Sequence, residues 1–320
     1  MAQTIDGIHH VTAIARDPQL NINFYAGVLG LRLVKLTVNF DDPGSYHLYY
    51  GDALGHPGTI LTFFAWPHGL GGHKGTGAAN VIAFTIPAAS RDFWAARLDA
   101  HGILHHAGGD GFSGSLLTFE DPDGIEIALV PVAGAEATPV ERWRGEPVDA
   151  SHAIRGFHHV TLWEEDARPT ARLLIESFGF REVGMAGDFI RYHSASDADG
   201  PGTFVDVRTV TGHAEARIAV GSVHHVAWRT PTDAEQLAWR ERLHGQGLHT
   251  TKVLDRQYFH SIYFREPGGV LFEIATDPPG FAVDEAPDKL GTHLKLPPWL
   301  EPDRAGIEAE LPPLRLPGSR

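Results

Sequence analysis

The feature that most constrains this chain is a strand opening that recurs down its length. "IHHVTAIA" at 8–15 returns as "FHHVTLW" at 157–163 and "VHHVAWRT" at 223–230, with "ANVIAFTIP" at 79–87 as a looser fourth copy. Such recurrence marks copies of one supersecondary unit, each needing a neighbour to bury its apolar face. Aligned on the opening, His10, Asn80, His159 and His225 share one position. An amphipathic segment follows each opening: "QLNINFYAGVLG", "SRDFWAARLDAHG", "ARPTARLLIESFG" and "DAEQLAWRERLHGQG". Each closes on a glycine suited to a left-handed helix cap. Alternating strand-like runs come next, such as "YHLYYGD" and "HSIYFREPGGVLFEIAT", so the grammar of a unit is β-α-β-β-β. The turns "DPDG" and "EPGG" let the last two strands of the second and fourth units reverse, and each closing strand carries a glutamate, Glu126 and Glu273.

At 320 residues and 42% hydrophobic content the chain can fill two domains. Units one and two are expected to form an N-terminal domain, 1–135, and units three and four a C-terminal domain, 155–280. The Pro-, Gly- and Ala-rich stretch 136–154 reads as a linker, and the proline-dense 281–320 as an extension wrapping over the surface. "HGLGGHKGTG" at 68–77 lacks the spacing of a phosphate loop and reads as a mobile lid. A net charge of −14 argues against nucleic acid or an anionic membrane as partner. The absence of cysteine excludes disulfides, thiolate metal sites and a cysteine nucleophile, and fits the cytoplasm. Neither an export signal nor a membrane span is expected.

Side chains alternate along a strand, so adjacent histidines are expected on opposite faces. His9, His158 and His224 share a register with Val11, Val160 and Val226 and are expected against the helices. His10, Thr12, Asn80, His159, Thr161 and His225 then lie on the concave face, as does Glu273 between Phe272 and Ile274. Glu126, between two isoleucines, is the carboxylate of the second unit, where Asn80 stands in place of a histidine. Two imidazoles and a carboxylate that leave positions open suit non-heme Fe(II), and Mn(II) would be accommodated. An isolated histidine in a chain holding 20 is ordinarily a hydrogen-bonded structural residue. Repetition in register sets His225 and Glu273 apart.

These residues resemble the vicinal oxygen chelate superfamily, which includes extradiol ring-cleaving dioxygenases, glyoxalase I and bleomycin-resistance proteins. The whole chain is similar to the hydroquinone and chlorohydroquinone ring-cleaving dioxygenase branch. The similarity is carried by "HHVT" (9–12), "YHLYYGDALGHPGT" (46–59), "RGFHHVT" (155–161), "VHHVAW" (223–228), "GGVLFE" (268–273) and "LGTHLKLPP" (290–298). It implies an α+β fold of four βαβββ modules making two glyoxalase-like domains with incomplete β-barrels. It also implies an Fe(II)-dependent, extradiol-type dioxygenase that cleaves a hydroquinone- or catechol-type aromatic with O2, in a chain that self-associates. The resemblance places the metal ligands on His10, His225 and Glu273, and supporting or substrate-contacting roles on His9, Thr12, His224, Arg256 and Tyr263. Because the third unit keeps "HHVT", His159 is an alternative to His10, the arrangement of catechol-type enzymes whose ligands come from the two C-terminal units. Arg256 offers a permanent cation to a phenolate or distal hydroxyl, and Tyr263 a hydroxyl to the substrate oxygen. Two other readings compete. A glyoxalase-like isomerase or lyase using Zn, Ni or Mn calls for a second carboxylate that the chain does not obviously offer. A non-catalytic aromatic- or drug-binding protein leaves His225 and Glu273 without a role.

Overall fold

In the computed structural model, residues 3–317 are described apart from 110, 113, 139–142, 144 and 196–199. The first unit comprises β1 (Ile8–Ala15), α1 (Pro18–Ile22), β2 (Arg32–Asn39), β3 (Asp42–Gly51) and β4 (Ile60–Ala65). The second holds β5 (Ala78–Pro87), α2 (Arg91–Ala100), β6 (His105–Gly108), β7 (Leu116–Glu120) and β8 (Glu126–Val132). The third has β9 (Phe157–Glu164), α3 (Ala167–Arg172), β10 (Arg181–Ala186), β11 (Phe189–His193) and β12 (Phe204–Thr209). The fourth has β13 (Ser222–Thr230), α4 (Asp233–Gly245), β14 (Leu254–Asp255), β15 (His260–Arg265) and β16 (Leu271–Thr276). Asp17 starts α1 by accepting from the amides of Gln19 and Leu20, and Thr232 starts α4 by accepting from Glu235. The glycines that close the four helical segments, Gly30, Gly102, Gly179 and Gly247, all have positive φ, the conformation that ends a helix without a Cβ clash.

Two eight-stranded sheets result, ordered β14-β15-β16-β13-β1-β4-β3-β2 and β10-β11-β12-β9-β5-β8-β7-β6. Each curls into an incomplete barrel, giving the expected α+β architecture. Each sheet takes four strands from 1–135 and four from 155–280, so the first unit joins the fourth and the second joins the third. This departs from the sequential pairing expected above. Every opening strand needs an antiparallel partner to cover its free edge, but the shared pattern of the four openings does not say which pairs form. β1 takes β13, and β5 takes β9.

The main core lies between sheets and helices, with Val11, Ala13, Val226 and Trp228 packed in the same cluster as Trp239 and Leu243 of α4. A smaller cluster, Val34, Tyr49, Tyr258, Phe259, Phe281 and Leu290, fills part of the concave side of the first sheet. The extension therefore does more than wrap the surface: Phe281 and Leu290 are buried in that cup. Leu294 bridges Leu36 on β2, covering an edge strand. Gly291 makes the approach possible. At φ 71° any Cβ there would sit 1.9 Å from the Leu33 carbonyl oxygen. Lys35, fully buried, holds Asp284 at 2.6 Å and also pairs with Glu285. The described part of 136–154 packs on the second unit, where Trp94 donates to the His152 carbonyl.

The 68–77 stretch is not the lid expected from its glycines. It crosses the 211–221 connector and is tied to it by backbone bonds, Gly72 to Val220 at 2.7 Å and Ala216 to Thr76 at 2.9 Å. Among the described residues no helix is long and apolar enough to cross a membrane.

Candidate metal centre

The paired histidines do not alternate. Two residues of β1, His9 and His10, advance against a single step on β13, so His9 is a bulge; His224 is likewise the extra residue opposite Thr12 and Ala13, and His158 opposite Ala83 and Phe84. A bulge inserts a residue and re-aims its neighbours. Here it overturns the expectation that His9 and His224 face the helices. His9 packs edge-on against Phe259 and His224 against Phe64, both of which line the concave cavity. Each bulged ring meets the next histidine through Nδ1, at 2.9 Å for His9 and His10 and 2.7 Å for His224 and His225. That contact fixes which nitrogen of His10 and His225 is left to point inward.

The inward atoms converge. His10 Nε2 lies 3.4 Å from His225 Nε2 and 3.3 Å from Glu273 Oε2, and His225 Nε2 lies 2.9 Å from the same oxygen. A triangle of that size is one face of a coordination polyhedron with bonds of about 2.1 Å. Glu273 is fully buried. Its Oε1 accepts from Ser261, while Oε2 meets only the two Nε2 atoms. With both Nε2 atoms unprotonated, as ligation requires, that buried oxygen has no donor, a costly state that a divalent cation on the triangle would relieve. Burial alone raises the Glu273 pKa, but His10 and His225 outweigh it and hold the carboxyl well below its ordinary value. Burial is also the main reason that His225 stays neutral, over the opposing pull of Glu273. Deprotonated carboxylate and neutral imidazoles are the ligand forms a metal requires.

Around the triangle, Arg256 Nε donates to Tyr263 Oη at 3.3 Å and Nη1 donates to Asp41 at 3.0 Å. Burial, then Glu273, pushes Tyr263 above its ordinary pKa, so it stays a proton donor. Thr12 meets Thr62 at 2.9 Å, and Thr62 meets His47 Nε2 at 2.9 Å, with Tyr49 Oη 3.0 Å from His47 Nδ1. Burial lowers the His47 pKa well below its ordinary value. Sequence reasoning passed over Ser261, His47, Tyr49 and Asp41. Ser261 stands two residues before Tyr263 and His47 two before Tyr49, so period-two alternation places each pair on one strand face and was a usable signal.

A family model described as Glyoxalase/Bleomycin resistance protein/Dioxygenase superfamily matches residues 7–129 and 156–274. The chain belongs to that superfamily. It is 44% identical over 316 residues to "Putative ring-cleaving dioxygenase MhqO" of Bacillus subtilis strain 168, covering 99% of each chain. It is 32% identical over 321 residues to the chlorohydroquinone/hydroquinone 1,2-dioxygenase of Sphingobium indicum, covering 97% of this chain and 96% of the relative. A crystal structure of a dioxygenase from Bacillus subtilis, itself described as putative, superposes with a TM-score of 0.92 at 43% identity, covering 98% and 99% of the two chains.

As in any superfamily built of repeats, this member offers the same two positions four times. The carboxylate of Glu273 projects from the residue beside Ala227, two beyond His225. The matching pairs are His10 with Thr62, Val81 with Ala128, and His159 with Asp206. Asn80, aligned above with the histidine ligands, instead occupies the bulge and bonds the Gly75 carbonyl at 2.9 Å. Glu126 falls one pleat short of the carboxylate position and pairs with Lys74 at 2.9 Å near the surface. Counting from the turns, Asp121 to Ala128 matches Glu266 to Glu273, a signal available in the sequence. His159 lies in the other sheet, where Asp206 is held by Arg191 through Nε and Nη2, each at 2.7 Å. Only His10, His225 and Glu273 gather as a candidate metal-binding group among the described residues.

Proposed function

We propose that the chain is an Fe(II)-dependent ring-cleaving dioxygenase that acts on a hydroquinone- or catechol-type aromatic with O2. The observation that carries this is the triangle of two imidazole nitrogens and one carboxylate oxygen, open on the side facing the cavity that Arg256 and Tyr263 line. Two histidines and a carboxylate on one face are the donor set of non-heme Fe(II) oxygenases, and Mn(II) fits the same donors. The relatives' names agree in kind. Bound at His10, His225 and Glu273, Fe(II) would supply a Lewis acid for a phenol and an electron path between ring and O2. The overall change adds both atoms of O2 across one ring carbon–carbon bond, so no further reductant is consumed.

The chain's own residues divide the remaining work. Arg256, whose charge Tyr263 and Asp41 sustain against burial, holds a phenolate or hydroxyl oxygen. Tyr263, polarised by Arg256, donates to an oxygen of the bound ring. Phe64 and Phe259 give the ring apolar walls. Neutral His47, bonded to Thr62 and to Tyr49, fixes the Thr12–Thr62 pair on the cavity wall. His9 and His224 hold the ligand rings in place from behind. The four-ligand isomerase alternative needs a carboxylate where Thr62 stands, and the Thr62 hydroxyl is already engaged with Thr12 and His47. The test is oxygen uptake after anaerobic Fe(II) reconstitution, across catechol and hydroquinones. His10→Ala is expected to abolish uptake and His159→Ala to keep it. Loss in His159→Ala with retention in His10→Ala would refute the assignment.

A further inference from the structure

The cavity beside the triad holds about 30 Å³, room for a water or two, whereas a cavity that takes benzene measures about 150 Å³. A ring reaches the three ligand atoms only if a wall moves. Most of the wall is sheet: His10, Thr12, His225 and Tyr263 stand on strands with a neighbour on either side. The exceptions are two turns that meet across the mouth, one joining β2 to β3 and one running from β14 into β15. They touch through Asp41 of the first and Arg256 of the second, at 3.0 Å. The partners are unequal: the Asp41 side chain is 73% exposed and that of Arg256 only 18%. Arg256 is placed by its turn. Gln257, next in the chain, has φ 67° and is the only non-glycine with positive φ among the described residues. Its amide is held by Asp255 at 2.7 Å. Such backbone persists where the surroundings force it, commonly beside a functional group.

We infer that Asp41 is an internal competitor for Arg256 and thereby a specificity-determining residue: its carboxylate occupies the guanidinium until a ring bearing an oxygen distal to the metal-bound one displaces it. The inference rests on the dioxygenase reading for the identity of the ring. An exposed carboxylate held by one contact is weakly bound, so a distal hydroxyl or phenolate in the buried part of the pocket displaces it readily. Over a ring with no distal oxygen the Asp41–Arg256 contact re-forms, and such a ring gains nothing from Arg256. The pocket thus favours rings with a second, distal oxygen over monophenols through a residue that never touches the metal.

Asp41→Asn removes the charge, keeps the shape, and changes an exposed side chain. Binding of hydroquinone, phenol and 4-hydroxybenzoate is measured on the Fe(II)-loaded protein without O2. In the variant, hydroquinone and 4-hydroxybenzoate, each with an oxygen distal to the metal-bound one, are expected to bind about two- to fivefold more tightly and phenol to change by less than about 1.5-fold, the range set by an exposed ion pair. Equal tightening of phenol and hydroquinone, or no gain for hydroquinone and 4-hydroxybenzoate, overturns the inference. If hydroquinone binds neither protein while 4-hydroxybenzoate still gains in the variant, the competition stands and the dioxygenase reading fails.

Discussion

Glu273 shows how few contacts decide which atom of a side chain is presented. Ser261 engages one carboxylate oxygen, and the other is left facing His10 and His225. The bulged histidines do the same for the imidazoles by meeting Nδ1 and leaving Nε2. Partners of this kind, one bond removed from a metal, typically account for 10–100-fold in affinity. Ser261→Ala is therefore expected to weaken Fe(II) binding by about 10–100-fold while leaving the fold intact. Anaerobic titration with a competing chelator reads this, and unchanged affinity would show that Ser261 does not orient the carboxylate. At this scale the gathering of His10, His225 and Glu273 was legible from register and resemblance. Alternation put Ser261 and His47 on the faces of Tyr263 and Tyr49, but their roles, like that of Asp41 in its turn, depend on neighbours across the cup that the sequence does not name.

The bulge is where element-level reasoning from the sequence fell short. Strict alternation predicts that "HH" splits across a sheet, and it fails because one inserted residue per strand turns both rings to the concave side. The helical segments and their glycine stops followed from local chemistry, although Asn23–Val28 and Leu173–Ser177 wind as π-helix, which the pattern did not show. A second consequence of packing appears where β9 meets the turn after β15. Glu164 is 1% exposed. Burial, then its neighbour Glu266, raises its pKa to about 9. Glu266 itself accepts from Thr170 at 2.7 Å and from the Val270 amide at 2.9 Å. The folded chain keeps a proton on Glu164 that the unfolded chain releases near the ordinary value of 4.5. Its contribution is thus fully present below that pH and is lost as pH rises toward 9. Glu164→Gln removes this dependence, so the variant's thermal midpoint is expected to gain on the wild type as pH rises from 6 to 9. A constant gap across that range would contradict a proton held on Glu164.

At the scale of the whole molecule, the candidate site exists because the chain's first and fourth units share a sheet. His10 comes from 1–135, and His225 and Glu273 come from 155–280. The repeat was legible and the pairing was not, since like openings are interchangeable until the connectors and extension are in place. Expressed separately, neither 1–135 nor 155–280 is expected to bind Fe(II) with the affinity of the full chain, and each would expose an unpaired opening strand. Tight binding by the C-terminal half alone would indicate a ligand set without His10. The second sheet, with Arg191 on Asp206, is expected to stay metal-free. The most direct measurement is anomalous diffraction at the iron edge from crystals of the full chain grown anaerobically with Fe(II). One peak is predicted, about 2.1 Å from His10 Nε2, His225 Nε2 and Glu273 Oε2. A peak beside His159 and Asp206 instead, or none at the triangle under saturating Fe(II), would contradict the account.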